Sequence, residues 1–148
     1  LRIAPDHEYI KMLRDSWDGL LVVKGVMCPD DAEPLEKLGI DAAWVSNHAG
    51  RQFAGSPSAI DMLPAIRAVT NLPLIFDSGI EGGLDIMRAI GLGADFVMMG
   101  RAWHYALGAM GRAGPAHLLG MLNDDLKSNM IQIAASKLEG LPPLVYRS

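Results

Sequence analysis

Short apolar segments recur along the chain and are separated by segments with a helical pattern. Four of them are rich in Val, Ile, Leu or Met and lack the alternating polar residues of a half-exposed strand. They cover residues 20–26, 42–47, 72–76 and 96–99. Parallel strands that are buried on both faces have this composition. The pattern therefore predicts four parallel β-strands.

Helical patterns occupy the intervals between these strands. The predicted helices cover residues 8–16, 29–38, 84–92, about 103–110 and, after a break at "GRAGP", about 117–135. Gly39 and Gly93 follow two of them, and glycine is common just past the end of a helix. A further helix is expected to be capped by Asp61, which places Pro64 in its first turn, where a missing N–H is tolerated.

One helix followed by four strand–helix units favours a parallel sheet with right-handed crossovers. The repeat is roughly 25 residues, close to one unit of a (β/α)8 barrel, which has eight units in about 250 residues. A chain of 148 residues is the size of one domain. We therefore expect a single α/β domain, residues 1–148, equal to half of a TIM barrel. A doubly wound open sheet is the alternative, disfavoured because no G-x-G-x-x-G follows the first strand.

Composition and charge narrow the class of protein. The formal net charge is −4 and no Lys/Arg-rich run occurs, so a nucleic-acid partner is not expected. The single Cys28 excludes an internal disulfide and a cysteine-based zinc site, and the histidines lack metal-ligand spacing. The longest apolar runs are too short to span a bilayer. We expect a cytoplasmic protein, with peripheral membrane contact left open, and no metal. Trp17, Trp44 and Trp103 are expected in the core or in helix–sheet packing.

Polar residues and glycines follow each predicted strand at its carboxyl end. They are Lys24 after the first strand, His48 and Arg51 after the second, Asp77, Ser78 and Gly79 after the third, and Gly100 and Arg101 after the fourth. In a parallel barrel these ends share one rim, so the side chains are expected to converge. Taken singly, Lys24 is also typical of a surface lysine, His48 of a structural histidine, and Asp77–Gly79 of a tight turn.

The rim divides into two parts with different chemistry. The glycines at 79, 82, 83 and 100 let backbone N–H groups approach an anion, and Arg101 can add a bidentate contact to a phosphate. Glu81 is discordant, because a carboxylate repels a phosphate. On the other part, Arg51 suits a carboxylate and His48 can accept a proton near neutral pH. This combination suits a small hydroxy acid.

Five motifs resemble one known family as a set: "VVKGV", "SNHAGRQ", "SAIDMLPAI", "DSGIEGGLDIMRAIGLGAD" and "MMGRAWHYAL". They resemble the C-terminal half of the FMN-dependent α-hydroxy acid dehydrogenases and oxidases, which include L-lactate dehydrogenase, glycolate oxidase and mandelate dehydrogenase. The likeness covers residues 15–138 and is strongest to the lactate dehydrogenase branch. It implies an FMN-containing oxidoreductase that converts a small L-2-hydroxy acid into a 2-oxo acid.

The resemblance also implies roles for single residues. Lys24 matches the lysine beside the flavin, His48 the catalytic base, and Arg51 the arginine that binds the substrate carboxylate. The remaining matches are cofactor contacts: Asp77, Ser78 and Gly79 to the ribityl-phosphate arm, and Gly100 and Arg101 to the phosphate.

Three features depart from the family pattern. Ala49 replaces a glycine in His-Gly-Gly-Arg, and Glu81 stands where the family usually has a phosphate-binding arginine. The first four strand–helix units of the family barrel do not occur in this sequence. The third departure implies either a homo-oligomer or a missing N-terminal half. It also leaves open a non-catalytic half-barrel that self-associates and binds a phosphate-bearing ligand weakly or not at all.

Overall fold

A four-stranded parallel sheet lies at the centre of the computed structural model, which describes residues 5–141. The strands are β1 (Val22–Val26), β2 (Ala42–Val45), β3 (Leu74–Phe76) and β4 (Phe96–Val97). They lie side by side in sequence order, and each pairs in parallel with the next. This arrangement, with helical segments between the strands, corresponds to half of a (β/α)8 barrel. The predicted fold class is confirmed.

The helices lie close to the predicted positions. Within residues 5–141 they are α1 (His7–Ser16), α2 (Pro29–Ala32), α3 (Ala59–Arg67), α4 (Gly83–Gly91), α5 (Arg101–Met110) and α6 (Gly114–Gln132). The break predicted between the last two is a short 3-10 segment, Gly111–Ala113. Pro115 then falls in the first turn of α6, where its missing N–H is tolerated.

Helix α2 is shorter than the sequence pattern predicts. It ends at Ala32, and the chain continues in turns to Gly39, which has a φ of 75°. Pro34 explains the early end, because a proline has no N–H to donate to the carbonyl four residues before it. Leu35 is nevertheless buried, because the turns still place this side chain in the core.

The expected start of α3 is wrong. The helix begins at Ala59 after Ser58, whose carbonyl accepts a hydrogen bond from the Asp61 N–H at 3.2 Å. Asp61 therefore lies inside the first turn rather than at the cap, and Pro64 lies inside the helix. The carboxylate of Asp61 is still near the helix N-terminus, where negative charge is favourable.

The strands are shorter than the apolar segments that predicted them. Strand β2 ends at Val45, although Ser46 is also buried, and β3 begins at Leu74, although Leu72 is buried. After β2 the chain leaves the ladder, and the Asn47 side chain donates to the Pro57 carbonyl at 3.0 Å. An apolar segment thus marks burial, which extends beyond the residues paired in the sheet.

The core lies between the sheet and its helices. Its most deeply buried large side chains are Phe76, Leu35, Leu63, Ile66, Leu74 and Val45. The expectation for Trp17 is wrong: it is 56% exposed and follows the end of α1. Trp44 and Trp103 are half-buried.

Helices α4 and α6 approach each other very closely at Gly83. A Cβ atom on this residue would lie 2.1 Å from the backbone nitrogen of Leu126. The Gly83 N–H donates to Asp125 Oδ2 at 2.5 Å, so a carboxylate of α6 holds the start of α4. This contact fixes α4 and the loop that leads into it from β3.

The sheet has two unpaired edges among the described residues, β1 and β4. Several large apolar side chains at these edges are exposed, including Leu20 at 82% and Phe96 at 59%. Apolar side chains beside an unpaired strand edge are typical of a surface that another segment covers.

Candidate functional site

Lys24 lies inside β1, paired with Trp44 of β2, and not after the strand as the sequence predicted; it contacts Asp77, which follows β3. The Lys24 Nζ lies 3.3 Å from Asp77 Oδ2 and donates to Ser46 Oγ at 2.8 Å. It also lies 4.7 Å from the centre of the Trp44 ring. The Lys24 side chain is 35% exposed, so its ammonium faces the rim while three neighbours hold its position. These contacts do not fit the alternative, in which Lys24 is a freely solvated surface lysine.

His48 begins an unusual left-handed turn after β2. Its φ is 56°, that of Ala49 is also 56°, and that of Gly50 is 73°. Positive φ costs a residue with a side chain about 1–2 kcal/mol, so neighbouring contacts must hold the first two residues in place. Ala49 thus occupies the left-handed region at the position where the related family has glycine.

The His48 ring packs against the backbone of β1. A Cβ atom on Gly25 would lie 3.2 Å from His48 Cε1, and Gly25 has a φ of 94°. Both facts favour glycine at this position, which is the residue after Lys24. The His48 ring therefore lies beside β1, the strand that carries Lys24.

Arg51 lies at the end of the same turn. Its backbone N–H donates to the His48 carbonyl at 3.3 Å, and its side chain is exposed. Within residues 5–141 its guanidinium has no hydrogen-bond or ion-pair partner. A guanidinium in this state can bind an anionic group with two parallel N–H···O bonds.

In the segment after β3, Asp77 bonds to the neighbouring strand and Gly79 leaves its backbone accessible. Asp77 continues the ladder through its N–H, which donates to Val45 O at 3.1 Å, while Ser78 and Gly79 have φ values of 79° and 109°. The Asp77 and Ser78 side chains bond to each other at 2.7 Å. No atom would lie within 4 Å of a Cβ on Gly79, so ligand atoms can approach its backbone.

Gly100 and Arg101 lie at the start of α5, after β4. No atom would lie within 4 Å of a Cβ on Gly100, and Arg101 Nη2 is 3.9 Å from Glu81 Oε1. The Arg101 and Glu81 side chains are 65% and 79% exposed, so their attraction is weak. The structure thus pairs the discordant carboxylate with the cation expected to bind phosphate.

The start of α4 is already occupied by carboxylates of the chain. Asp85 Oδ2 accepts the N–H groups of Glu81 and Gly82 at 3.1 and 3.2 Å, and Asp125 accepts that of Gly83. The expectation that Gly82 and Gly83 offer amides to an anion is therefore wrong. The tertiary contact with α6 could not be seen in the local sequence.

Two residues that sequence reasoning missed belong to this rim, Ser46 and Trp44. Ser46 is 1% exposed, and its hydroxyl contacts groups from β1, the turn after β2 and the loop after β3. Trp44 Nε1 is buried without a hydrogen-bond partner in the described part of the chain. The position of Ser46 directly after an apolar strand was the available signal, since every strand exit carries polar groups.

Possible metal ligands are not clustered in the described part of the chain. No group of three or more His, Cys, Asp or Glu side chains suited to a metal ion occurs within residues 5–141. No helix in that range is both long and apolar enough to cross a bilayer. A pocket of about 370 Å³ lies near the start of β4, lined among others by Arg67, Asp95 and Leu138, at the opposite end of the sheet from the polar rim.

The rim fits the FMN that the resemblance implies, with one exception. Lys24 supplies a held cation, and Gly79 and Gly100 leave backbone open to close approach. The exception is Glu81, whose carboxylate faces Arg101 and opposes a phosphate there.

The chain is similar to a known family and to known proteins. A family model described as FMN-dependent dehydrogenase matches residues 1–147. The chain is 40% identical over 134 residues to an L-lactate dehydrogenase of Chromohalobacter salexigens, a match covering 89% of this chain and 34% of that protein.

Solved structures are also similar to this chain. A soluble mutant of the membrane-associated (S)-mandelate dehydrogenase from Pseudomonas putida is 36% identical, with a TM-score of 0.89, over 93% of this chain and 40% of the other. A mandelate oxidase is 30% identical, with a TM-score of 0.87, over 94% of this chain and 41% of the other. The chain spans 34% of the curated relative. With a half-barrel fold and a family match along almost its whole length, this chain belongs to the FMN-dependent dehydrogenase family.

Proposed function

We propose that this chain supplies the base, the substrate clamp and part of the FMN site for oxidation of a small L-2-hydroxy acid, such as L-lactate, to the 2-oxo acid. The observation that carries the proposal is the position of the His48 ring beside Gly25 of β1, the strand that also carries Lys24. A proton acceptor and a cation at neighbouring strand ends suit a reaction that removes protons and electrons from one carbon. Membership of an FMN-dependent family supports the cofactor.

Each proposed role follows from the chemistry of the side chain. Arg51 binds the substrate carboxylate through parallel N–H···O bonds, which orients the adjacent hydroxyl-bearing carbon. His48 accepts a proton from the hydroxyl or from that carbon. If FMN is bound, it would supply the acceptor for the two electrons and the second proton that leave the substrate. Lys24 would supply positive charge near the flavin.

The phosphate arm of the cofactor is assigned to the other side of the rim. Gly79 and Gly100 are proposed to contact it through backbone N–H groups, and Arg101 through its guanidinium. Asp77 and Ser78 are proposed to act near the ribityl chain, although their side chains are engaged within the protein. Backbone groups are therefore the more suitable contacts at these two residues.

Replacement of the base tests the proposal most directly. We expect His48→Gln to bind FMN as the parent protein does but to lose anaerobic bleaching of the flavin by L-lactate, by about 10²- to 10⁴-fold in rate. His117→Gln is the control, because this exposed histidine on α6 lies outside the rim. Bleaching by His48→Gln at the parent rate would contradict the assignment of the base.

A second candidate function is a non-catalytic half-barrel that self-associates. The exposed apolar residues at both sheet edges favour it, among them Leu20, Val22, Phe96 and Met98. Two half-barrels that pair edge to edge would cover these groups in a homo-oligomer, as would a missing N-terminal half. Sedimentation of the purified chain tests this: a compact monomer at micromolar concentration contradicts it. A colourless protein that takes up no FMN contradicts the enzyme.

We further propose that residues 1–148 form one domain and that the protein acts in the cytoplasm. The continuous core formed by the described residues favours the domain assignment. Peripheral contact with a membrane is the alternative location, because one related mandelate dehydrogenase is described as membrane-associated. Co-sedimentation with anionic lipid vesicles distinguishes the two locations.

A further inference from the structure

Four polar side chains at the rim form a closed ring of contacts. Lys24 Nζ lies 2.8 Å from Ser46 Oγ, which lies 3.4 Å from Ser78 Oγ. Ser78 Oγ lies 2.7 Å from Asp77 Oδ1, and the other Asp77 oxygen lies 3.3 Å from Lys24 Nζ. The ring joins the ends of β1, β2 and β3, and it contains one cation and one anion.

Hydrogen-bonding capacity fixes the direction of every bond in the ring. A hydroxyl has one proton and two acceptor positions. Ser46 Oγ accepts from Lys24 and from the His48 N–H at 3.2 Å, so its own proton is directed to Ser78. Ser78 Oγ accepts that proton and the Ala49 N–H at 3.2 Å, so its own proton goes to Asp77. Both hydroxyls are then fully satisfied.

The two bonds that leave the ring hold the turn that carries the candidate base. They end on the N–H groups of His48 and Ala49, both of which carry a side chain and lie in the left-handed region. A backbone in this region persists only where its surroundings over-determine it. The ring therefore couples the position of Lys24 to the backbone from which the His48 imidazole extends.

We propose that Ser46 is a positioning residue, which holds Lys24 and the His48 turn in fixed relation through its single buried hydroxyl. The consequence for turnover rests on the proposed function, whereas the effect on the turn does not. A side chain with only a structural role would accept a backbone hydrogen bond beside a buried strand, as the Thr70 hydroxyl does before β3. Thr70 is 5% exposed and accepts the Leu72 N–H at 3.2 Å, so it offers a matched control at the other end of the sheet.

Amide hydrogen exchange tests the proposal without any reaction. In Ser46→Ala we expect the His48 amide to exchange about ten-fold faster, as loss of one acceptor predicts, with the Leu72 amide unchanged. Thr70→Ala should give the reverse result. Ser78→Gly keeps a residue suited to its φ of 79° while removing the hydroxyl, so it should accelerate the Ala49 amide even if Ser46→Ala does not fold.

Turnover of the FMN-loaded protein with L-lactate and an artificial electron acceptor tests the catalytic consequence. We expect Ser46→Ala to lower kcat by about 10- to 100-fold, because the turn that carries the base is displaced. Thr70→Ala should leave kcat unchanged. An unaltered His48 amide in Ser46→Ala overturns the inference, and so does a parent-like kcat. If the parent protein shows no turnover, the proposed function fails and the exchange measurement alone decides the inference.

Discussion

The close contact between α4 and α6 predicts that Gly83→Ala severely destabilises the fold. The added Cβ would lie 2.1 Å from Leu126 N and 2.5 Å from Leu126 Cα, and neither backbone atom can rotate away as a side chain can. Ordinary contact begins at 3.4 Å, so α6 must retreat by more than about 1 Å. That displacement also breaks the bond from the Gly83 N–H to Asp125.

The magnitude follows from these two losses. Overpacking in a close-packed contact costs about 1–3 kcal/mol, and a hydrogen bond to a charged acceptor contributes about 1.5–3 kcal/mol. We therefore expect the free energy of unfolding to fall by about 3–5 kcal/mol. For a domain of this size, that corresponds to a Tm about 10 °C lower.

The assay is thermal and urea unfolding followed by circular dichroism. Gly120→Ala is the matched control, because Gly120 lies within α6 and no atom would lie within 4 Å of its Cβ. Alanine in an open helix interior should stabilise the protein by about 0.5–1 kcal/mol. The two substitutions thus have opposite expected signs, and equal unfolding midpoints for Gly83→Ala and the parent would refute the reasoning.

Two further predictions concern the rim. Ala49→Gly should raise the free energy of unfolding by up to about 1 kcal/mol, because Ala49 has a φ of 56°; urea unfolding checks this, and a lower midpoint would argue against strain at this residue. Glu81→Gln should lower the Kd for FMN by about two- to five-fold, because it frees the exposed Arg101 guanidinium from its carboxylate. Fluorescence titration measures this effect, and riboflavin, which lacks the phosphate, should bind equally to both proteins; an equal gain for riboflavin would show that Arg101 does not bind the phosphate.

Much of the candidate site was visible in the sequence because parallel strands place their carboxyl ends at one edge. Lys24, His48 and Asp77 are far apart along the chain, and the structure brings them to adjacent points of the rim. The functional roles of these residues stay predictions. Arg51 and Arg101 follow the expected strand ends, but neither contacts this group directly within residues 5–141.

The sequence by itself determined the strand order, the fold class and most helix positions. These depend on local apolar periodicity, on glycine and proline, and on the few topologies open to alternating strands and helices. Pro34 illustrates the limit of such patterns, since apolar spacing continued past the point where the missing N–H ended α2.

Only the tertiary structure decided which polar groups are free to bind a ligand. The amides of Gly82 and Gly83 resemble an anion site in sequence, yet Asp85 and Asp125 already accept their protons. Ser46 lies inside the apolar segment that predicts the second strand, yet its hydroxyl joins three chain segments. Hydrogen bonds saturate, so the availability of a donor depends on every neighbour in space, and those neighbours include residues distant in the chain.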